Sequence, residues 1–342
     1  MFELTVDNAV DYVFQRGWLP SDDRPRYAEL LCGGVSNQVL RVTTLTRRLV
    51  LKQSRRQLRT RDAWFSDLDR IWREQEVMQA LHPHLLDVVP EVLFVDRANY
   101  VYAMSHAPID AKVWKSELLA GTIYVDLGTK VGRVLGRIHQ VSAERAHEFA
   151  TFRDHSVYVQ LRVDPFYVRV QERCPDVAVA IEPIVRDMLT IKEALCHGDY
   201  TPKNMLIHPS PSEREVANGA FTLVDYETAH FGDPTMDLGL FLAHLTLKAI
   251  RQPARADDFI ALMRAFWNGY ASEVRFRPAL ELEQRGMRHL GVCLLARVDG
   301  TSPVDYLSEE PRRKSVRDLA RRILLDSVNR WELVWQDLGG SL

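Results

Sequence analysis

One segment of the chain carries an acid and an amide at a spacing suited to chemistry on a phosphate group. It reads His197-Gly-Asp-Tyr-Thr-Pro-Lys-Asn204, with Asp199 and Asn204 five residues apart. An aspartate can orient an acceptor hydroxyl and take its proton. An asparagine supplies a neutral oxygen ligand to Mg²⁺, a cation that prefers oxygen. Asp and Asn are also common in turns, so this segment alone fits an ordinary turn as well.

A second pair of acids follows the strand predicted at 221–224. Asp225 and Glu227 stand two residues apart after that strand, so their carboxylates can converge on one divalent ion. The alternative is a solvated acidic turn. Because the acid–amide segment lies upstream, we favour the metal interpretation, with Asn204 and Asp225 as ligands. Glu227 either binds the ion directly or supports a ligand.

A lysine and a glutamate are predicted to pair in the first part of the chain. Lys52 ends a strand of leucine and valine, where a charge needs a partner. Glu74 falls on the apolar face of a helix predicted at 67–81, where a buried acid also needs one. The pair would place Lys52 against the α- and β-phosphates of ATP. Glu76, on the polar side of that helix, is the second candidate, and two surface charges are the alternative.

A short glycine segment precedes this lysine. Gly33, Gly34, Ser36 and Asn37 lie between two predicted strands. Such a segment is most often a plain hairpin. Its position before Lys52 also allows phosphate contact, since backbone N–H groups beside glycine can approach oxygens closely. We therefore predict that these four residues contact the nucleotide.

The surrounding pattern predicts an α+β protein with two lobes. The first part shows a helix at 5–16 and strands that alternate with turns; a candidate linker follows at 105–110, and the rest is mostly helical. We predict a small antiparallel β-sheet lobe at 1–105, which binds nucleotide. A larger helical lobe at 106–342 would carry the catalytic loop and the acceptor site.

Two further features leave alternatives open. Asp237 opens a predicted helix, where it either complements the helix dipole or braces the backbone of the catalytic loop. Residues 52–73 hold seven basic and three acidic side chains, a pattern typical of a solvated face, with phosphate attraction or nucleic-acid binding as alternatives. Four residues of the later helical region lie where a substrate pocket could form, although core packing also explains the first: Trp267, Arg297, Asp299 and Tyr306.

The composition excludes several classes of protein. A formal net charge of −2, from 44 basic and 46 acidic residues, gives no support for a general nucleic-acid binder. Four separated cysteines favour free thiols in a reducing compartment. The sequence has neither a run of 18 apolar residues nor a basic N-terminal region, so we expect a cytoplasmic protein without a membrane span. Nothing in the composition indicates an oligomeric state.

These residues resemble the aminoglycoside phosphotransferase and choline kinase superfamily, which shares the protein-kinase-like fold. The resemblance implies that Asp199 is the catalytic base, that Asn204 and Asp225 bind Mg²⁺, and that Lys52 pairs with Glu74. It also implies that backbone groups of Ser105 and Ala107 bind the nucleobase. Segments around Lys52, Trp64 and Glu74 are similar to the small lobe of methylthioribose kinase. The loop from Asp199 to Asn204 differs from that branch, so the acceptor stays open.

The resulting hypothesis is transfer of the ATP γ-phosphoryl group to a hydroxyl of a small molecule. Gly198 stands where protein kinases carry an arginine, and few residues separate Asp225 from the next helix. Both features favour a small acceptor, such as a sugar like methylthioribose, a choline-like compound or an aminoglycoside. The alternatives are a nucleotide sensor that does not catalyse, and a metal-dependent hydrolase that uses His197 and the three acids.

Overall fold

The computed structural model describes residues 2–31, 37–55, 68–208, 221–326 and 328–341. The chain divides into two compact units. Residues 1–110 and 222–227 form the small unit, and residues 111–221 and 228–342 form the large unit. As predicted, the fold is α+β, with an antiparallel sheet in the small unit and mostly helices in the large one.

The small unit is built on a five-stranded antiparallel sheet in the order β1-β2-β3-β5-β4. Its strands are β1 (Pro25–Leu30), β2 (Asn37–Thr44), β3 (Arg48–Ser54), β4 (Val92–Asp96) and β5 (Val101–Ser105). The helices of this unit are α1 (Ala9–Gln15) and α2 (Arg70–Leu81).

The central strand β3 separates the core from a polar face. Successive side chains of a strand point to opposite faces. Leu49 and Leu51 enter a buried cluster that also contains Val13 of α1. Lys52 therefore points to the other face, opposite Tyr102 in the register of β3 with β5.

The large unit consists mainly of helices that alternate with short strands. Its helices are α3 (Trp114–Leu119), α4 (Val125–Glu144), α5 (Ser156–Tyr158), α6 (Arg169–Arg173), α7 (Ala178–Thr190), α8 (Thr235–Arg251), α9 (Ala256–Glu273), α10 (Ala279–Ala296), α11 (Glu310–Leu325) and α12 (Trp331–Ser341). Its strands are β6 (Lys112–Val113), β7 (Ala194–Cys196), β8 (Met205–Ile207) and β10 (His230–Gly232). Between them, β9 (Phe221–Leu223) crosses the boundary of the two units. Strand β6 pairs with β8, and β10 pairs with β7, both antiparallel.

Helices α4 and α9 approach each other closely, and α4 also holds the predicted catalytic loop. A Cβ atom on Gly132 of α4 would lie 2.0 Å from the Phe266 carbonyl oxygen, so only glycine fits there. Farther along the chain, the buried Tyr200 hydroxyl donates a hydrogen bond of 2.7 Å to the Val131 carbonyl oxygen. The loop that contains Tyr200 is thus anchored to the same helix pair.

The structure differs from the predicted elements at three places. Helix α1 begins at Ala9 rather than at residue 5, because the Asn8 side chain accepts a hydrogen bond from the Thr5 N–H and the regular helix starts only after it. The helical sequence pattern near 312–337, which suggests one helix, forms two helices, α11 and α12. Between α5 and α6, Val159–Val168 forms a π-helical segment that contains Pro165, and it was not predicted.

Among the helices of the described residues, none combines the length and the hydrophobicity that crossing a lipid bilayer requires.

Candidate active site

The predicted catalytic loop leaves strand β7 and is fixed by Asp237. The backbone N–H groups of His197 and Gly198 donate hydrogen bonds of 2.7 and 2.8 Å to the two carboxylate oxygens of Asp237. Asp237 is fully buried in the first turn of α8, and His139 lies 3.4 Å from one of its oxygens. Of the two roles considered for Asp237, the structure shows that its carboxylate holds the backbone of the predicted catalytic loop.

Gly198 is required by the shape of the loop. Its φ angle of +75° lies in the left-handed region, which side chains rarely adopt. A Cβ atom there would also lie 2.6 Å from the Thr228 carbonyl oxygen. Thr228 in turn donates a hydrogen bond of 3.1 Å from its hydroxyl to the His197 carbonyl oxygen. An arginine, as in protein kinases, does not fit at this position.

Asp199 is almost fully buried and is held by three side chains. Its Oδ2 atom lies 2.9 Å from Nη2 of Arg162 and 2.8 Å from Nζ of Lys203. Asn204 donates from Nδ2 to the same oxygen and to the Asp199 backbone oxygen, each at 2.9 Å. Burial alone would raise the pKa of Asp199, but Arg162 and Lys203 outweigh it and hold the pKa below its usual value. The carboxylate is therefore ionised at neutral pH.

Arg162 is a candidate site residue that the sequence analysis missed. It lies in the π-helical segment, and its Nε donates a hydrogen bond of 2.7 Å to the Gly198 carbonyl oxygen. One guanidinium thus fixes both the backbone of the loop and the carboxylate of Asp199. No motif marks this arginine, because it lies far from the loop in sequence, in a segment without helical periodicity.

In the small unit, Lys52 pairs with Glu74 across β3 and α2. Lys52 Nζ lies 2.5 Å from Oε2 of Glu74, and both side chains are buried. Burial acts to lower the pKa of Lys52, but the charge of Glu74, with those of Asp225 and Glu227, raises it above its usual value. Glu76 pairs instead with Arg97 at 3.0 Å near the surface.

The two acids after β9 belong to the same unit and add negative charge near this lysine. Asp225 has a φ angle of +73°, which a residue other than glycine rarely adopts and which often marks a functional position. Burial and the Asp225 charge raise the pKa of Glu227 to about 7. Such crowding of carboxylates is relieved by a divalent cation, so the oxygen donors present here fit Mg²⁺.

The described residues contain no cluster of three or more His, Cys, Asp or Glu side chains that could hold a metal ion. A Mg²⁺ site does not depend on such a cluster. This ion is commonly bound through one or two protein oxygens, and phosphate oxygens and water complete its coordination.

The predicted nucleotide contacts are only partly within the described residues. Gly33, Gly34 and Ser36 lie outside them, while Asn37 begins β2 and is buried. Ser105 ends β5, and its N–H donates to the Glu91 carbonyl oxygen at 2.9 Å, so a nucleobase contact would have to use its carbonyl group. The Ala107 carbonyl oxygen contacts Nδ1 of His106, which leaves the Ala107 N–H as the candidate donor.

A pocket of about 280 Å³ lies in the large unit beside the catalytic loop. Thr201 and Lys203 of the loop line it, as do Arg297 and Tyr306, two of the residues singled out in the sequence. The other two do not line it. Asp299 forms an ion pair with Arg317 at 2.8 Å, and Trp267 stacks on Tyr270 with ring centroids 5.8 Å apart.

Comparisons with known proteins agree on the family. Residues 28–273 match the model of the phosphotransferase enzyme family. A methylthioribose kinase of Cronobacter sakazakii is 23% identical over 270 residues, which cover 73% of this chain and 67% of that protein.

Two solved structures share the fold. The macrolide 2'-phosphotransferase of Brachybacterium faecium has a TM-score of 0.52 and 18% identity, over 93% of this chain and 98% of that one. A choline/ethanolamine kinase family protein of Mesorhizobium loti has a TM-score of 0.51 and 17% identity, over 98% and 99% of the two chains.

Proposed function

The chain belongs to the phosphotransferase enzyme family, and from this premise we propose that it transfers the γ-phosphoryl group of ATP to a hydroxyl group of a small molecule. The observation that carries this proposal is the environment of Asp199. Its ionised carboxylate is held in a fixed orientation by Arg162, Lys203 and Asn204.

Asp199 acts here by orienting the acceptor more than by pulling its proton away. Because the neighbouring cations lower its pKa, the carboxylate is a weak base at neutral pH. A carboxylate of this kind accepts a hydrogen bond from the acceptor hydroxyl and takes the proton as the hydroxyl oxygen bonds to the γ-phosphorus and the bond from that phosphorus to the ADP oxygen breaks. Weak basicity suffices, since phosphoryl transfer depends mainly on positioning and electrostatic stabilisation.

We assign nucleotide binding to the small unit. In this proposal Lys52 contacts the phosphates, and Glu74 holds its ammonium group in place. Asn204 and Asp225 are the proposed ligands of Mg²⁺, and Glu227 is a further proposed oxygen donor. This assignment is based on the order in which these residues follow one another in the chain. When bound, Mg²⁺ would neutralise phosphate charge.

The test is a comparison of Asp199→Asn with wild type in a screen of hydroxyl compounds for acceptor-dependent formation of ADP. We expect the best acceptor to be phosphorylated by wild type and Asp199→Asn to lose at least about 99% of kcat. The neutral amide loses the ion pairs with Arg162 and Lys203 that fix its orientation, and it cannot accept the proton. Asp257→Asn, on an exposed turn of α9, is the matched control and should keep wild-type rates. Equal kcat for wild type and Asp199→Asn would overturn the role of this residue.

ATP binding by wild type without transfer to any acceptor would instead support the sensor alternative. Titration calorimetry with ATP and Mg²⁺ measures this directly, and it uses the same preparations as the screen.

A further inference from the structure

The pocket beside the catalytic loop is lined by an excess of positive charge. Among the described residues, four cationic side chains and one acid line it. The cations are Lys115, Lys203, Lys248 and Arg297, and the acid is Asp305. Lys203 is already paired with Asp199 at 2.8 Å, so the excess rests on the other three cations. Asp305 is largely exposed and lies 3.9 Å from Lys115, so it neutralises little of this charge.

Among these side chains, Lys248 gives the strongest indication of an anionic ligand, because it is fully buried in helix α8. Its ammonium group donates a hydrogen bond of 3.0 Å to the His244 carbonyl oxygen and lies 5.3 Å from the centre of the Tyr306 ring. Within the described part of the chain, no carboxylate lies within ion-pair distance of it. An ammonium group offers three donors, so this one keeps capacity for another acceptor.

Arg297 completes the arrangement from the end of helix α10. It donates from Nη1 to the Ser302 carbonyl oxygen at 2.8 Å, and its guanidinium lies 5.6 Å from the centre of the Phe166 ring. Its buried Nε has no hydrogen-bond acceptor among the described residues. Burying unpaired charge is costly, and proteins keep such groups where a ligand supplies the opposite charge.

We propose that this pocket binds an anionic group, a carboxylate or a phosphate, on the acceptor molecule. The proposal rests on the proposed function and narrows its substrate class. Lys203 connects the two sites, since it lines the pocket and its ammonium lies 2.8 Å from Asp199. An acceptor held by its anionic end would present a hydroxyl to Asp199.

The charge and the size of the pocket also disfavour other acceptors. Aminoglycosides and choline are cations, and Lys115, Lys248 and Arg297 would repel them. The volume of about 280 Å³ lies near the lower limit of roughly 300–1,000 Å³ for small-molecule sites. A compact hydroxy acid or a sugar phosphate fits this description.

The first experiment uses acceptors that differ only in charge. D-gluconate, D-glucitol and D-glucamine share a polyol chain and end in an anionic, a neutral and a cationic group. D-glycerate, glycerol and 3-amino-1,2-propanediol form a shorter series, and glycerol 3-phosphate separates phosphate from carboxylate recognition. ADP formation and titration calorimetry are measured for each compound. We expect the anionic members to bind more tightly and to be the better acceptors.

The second experiment removes the charge from the pocket. Lys248→Met keeps the length of the side chain, and Arg297→Gln is a second variant at a separate position. Each should raise the KM or Kd of the best anionic compound by about tenfold or more, because each removes a charge-assisted interaction. The KM for ATP should stay within a factor of two. Lys314→Met, on an exposed turn of α11 outside the pocket, is the control and should change neither.

The outcomes separate this inference from the proposed function. If neutral or cationic members are the best acceptors, the inferred anion pocket is wrong and the proposed transfer is supported. If no anionic probe binds, the anion pocket is wrong, and transfer to the other compounds decides the proposed function. If the anionic probes bind to wild type and not to Lys248→Met, yet no transfer occurs, the pocket stands and the proposed function fails. If Lys248→Met raises only the KM for ATP, these cations bind nucleotide phosphates and the inference is overturned.

Discussion

Lys52 and Lys248 are both buried lysines, and their surroundings in the two units shift their pKa values in opposite directions. In the small unit, Glu74 lies 2.5 Å from Lys52, and the pKa of that lysine is raised in spite of burial. In the large unit, burial together with the charges of Lys115 and Arg297 lowers the pKa of Lys248 to about 7. Whether a buried lysine has a carboxylate partner therefore decides whether its pKa is raised or lowered.

This difference separates two ways of using a buried cation. The small unit supplies its own counter-ion, so the charge of Lys52 is fixed and positioned before any ligand arrives. The described part of the large unit supplies none for Lys248, whose charge is complete only when a ligand brings the opposite charge. The first arrangement suits a nucleotide that is always the same, and the second selects among acceptors.

The largest expected effect concerns phosphoryl transfer. Lys52→Met should lower kcat/KM for ATP by roughly 10²–10³-fold, because it removes one fixed positive charge from the phosphates. Lys248→Met should leave kcat/KM for ATP within a factor of two. Steady-state kinetics with saturating acceptor measures both. Equal losses of kcat/KM for ATP in the two variants would contradict the proposed difference between Lys52 and Lys248.

The two variants should also change the stability of the fold in opposite directions. Lys52→Met leaves the Glu74 carboxylate buried without its partner and should destabilise the fold by about 3–5 kcal/mol. Lys248→Met replaces an unpaired buried charge by an apolar side chain and should stabilise the fold by about 1 kcal/mol or more. Urea unfolding measures both changes.

The double variant Lys52→Met with Glu74→Leu serves as the control for that experiment. It should recover most of the loss, because it removes the buried carboxylate as well. If both lysine variants destabilised the fold, Lys248 would have a stabilising counter-charge, and the proposed difference between Lys52 and Lys248 would be wrong.

The smallest effect is a dependence of stability on pH. The folded pKa of Lys248, about 7, lies below the usual 10.5, so the unfolded chain binds more protons between these values. The unfolding free energy of wild type relative to Lys248→Met should therefore rise with pH above 7, by up to about 1.4 kcal/mol per pH unit.

Lys52 should not contribute to the pH dependence of the unfolding free energy in that range. Its folded pKa is raised, so its stabilising contribution is complete below 10.5 and is lost only at higher pH. Among the described residues, the charged and titratable groups around Lys248 are Lys115, Lys203, His244, Arg251, Arg297, Asp305 and Tyr306. Unfolding curves at pH 6 to 9 test the slope, Lys314→Met is the flat control, and a slope of zero or of opposite sign would contradict the prediction.

The sequence predicted the paired lysine well and did not predict the unpaired one. Lys52 and Glu74 each interrupt an apolar pattern of known period, and each therefore indicates a partner. Lys248 lies in a helix whose residues are buried on every side, so no face of that helix separates the charge from the core. Its position beside the loop follows only from how α8 packs against residues distant in sequence.

The same distinction applies to the loop and its supports. Asp199 and Asn204 lie close in sequence, so their spacing carries the prediction. Asp237 was recognised as one of two alternatives, because a carboxylate in a first helical turn has two possible roles. Arg162 was missed, since its contact with Asp199 depends on a π-helical segment that propensity and periodicity do not reveal.

That segment also makes the chain sensitive to its length at this point. Each hydrogen bond of a π-helix spans one residue more than that of an α-helix, i to i+5 rather than i to i+4, and π-helical turns mostly occur within α-helices. Deleting one residue from Val159–Val168 would restore α-helical winding and rotate what precedes the deletion by about 100° relative to α6. The guanidinium of Arg162 would then swing away from Asp199, so the orientation of this aspartate depends on the number of residues in the segment.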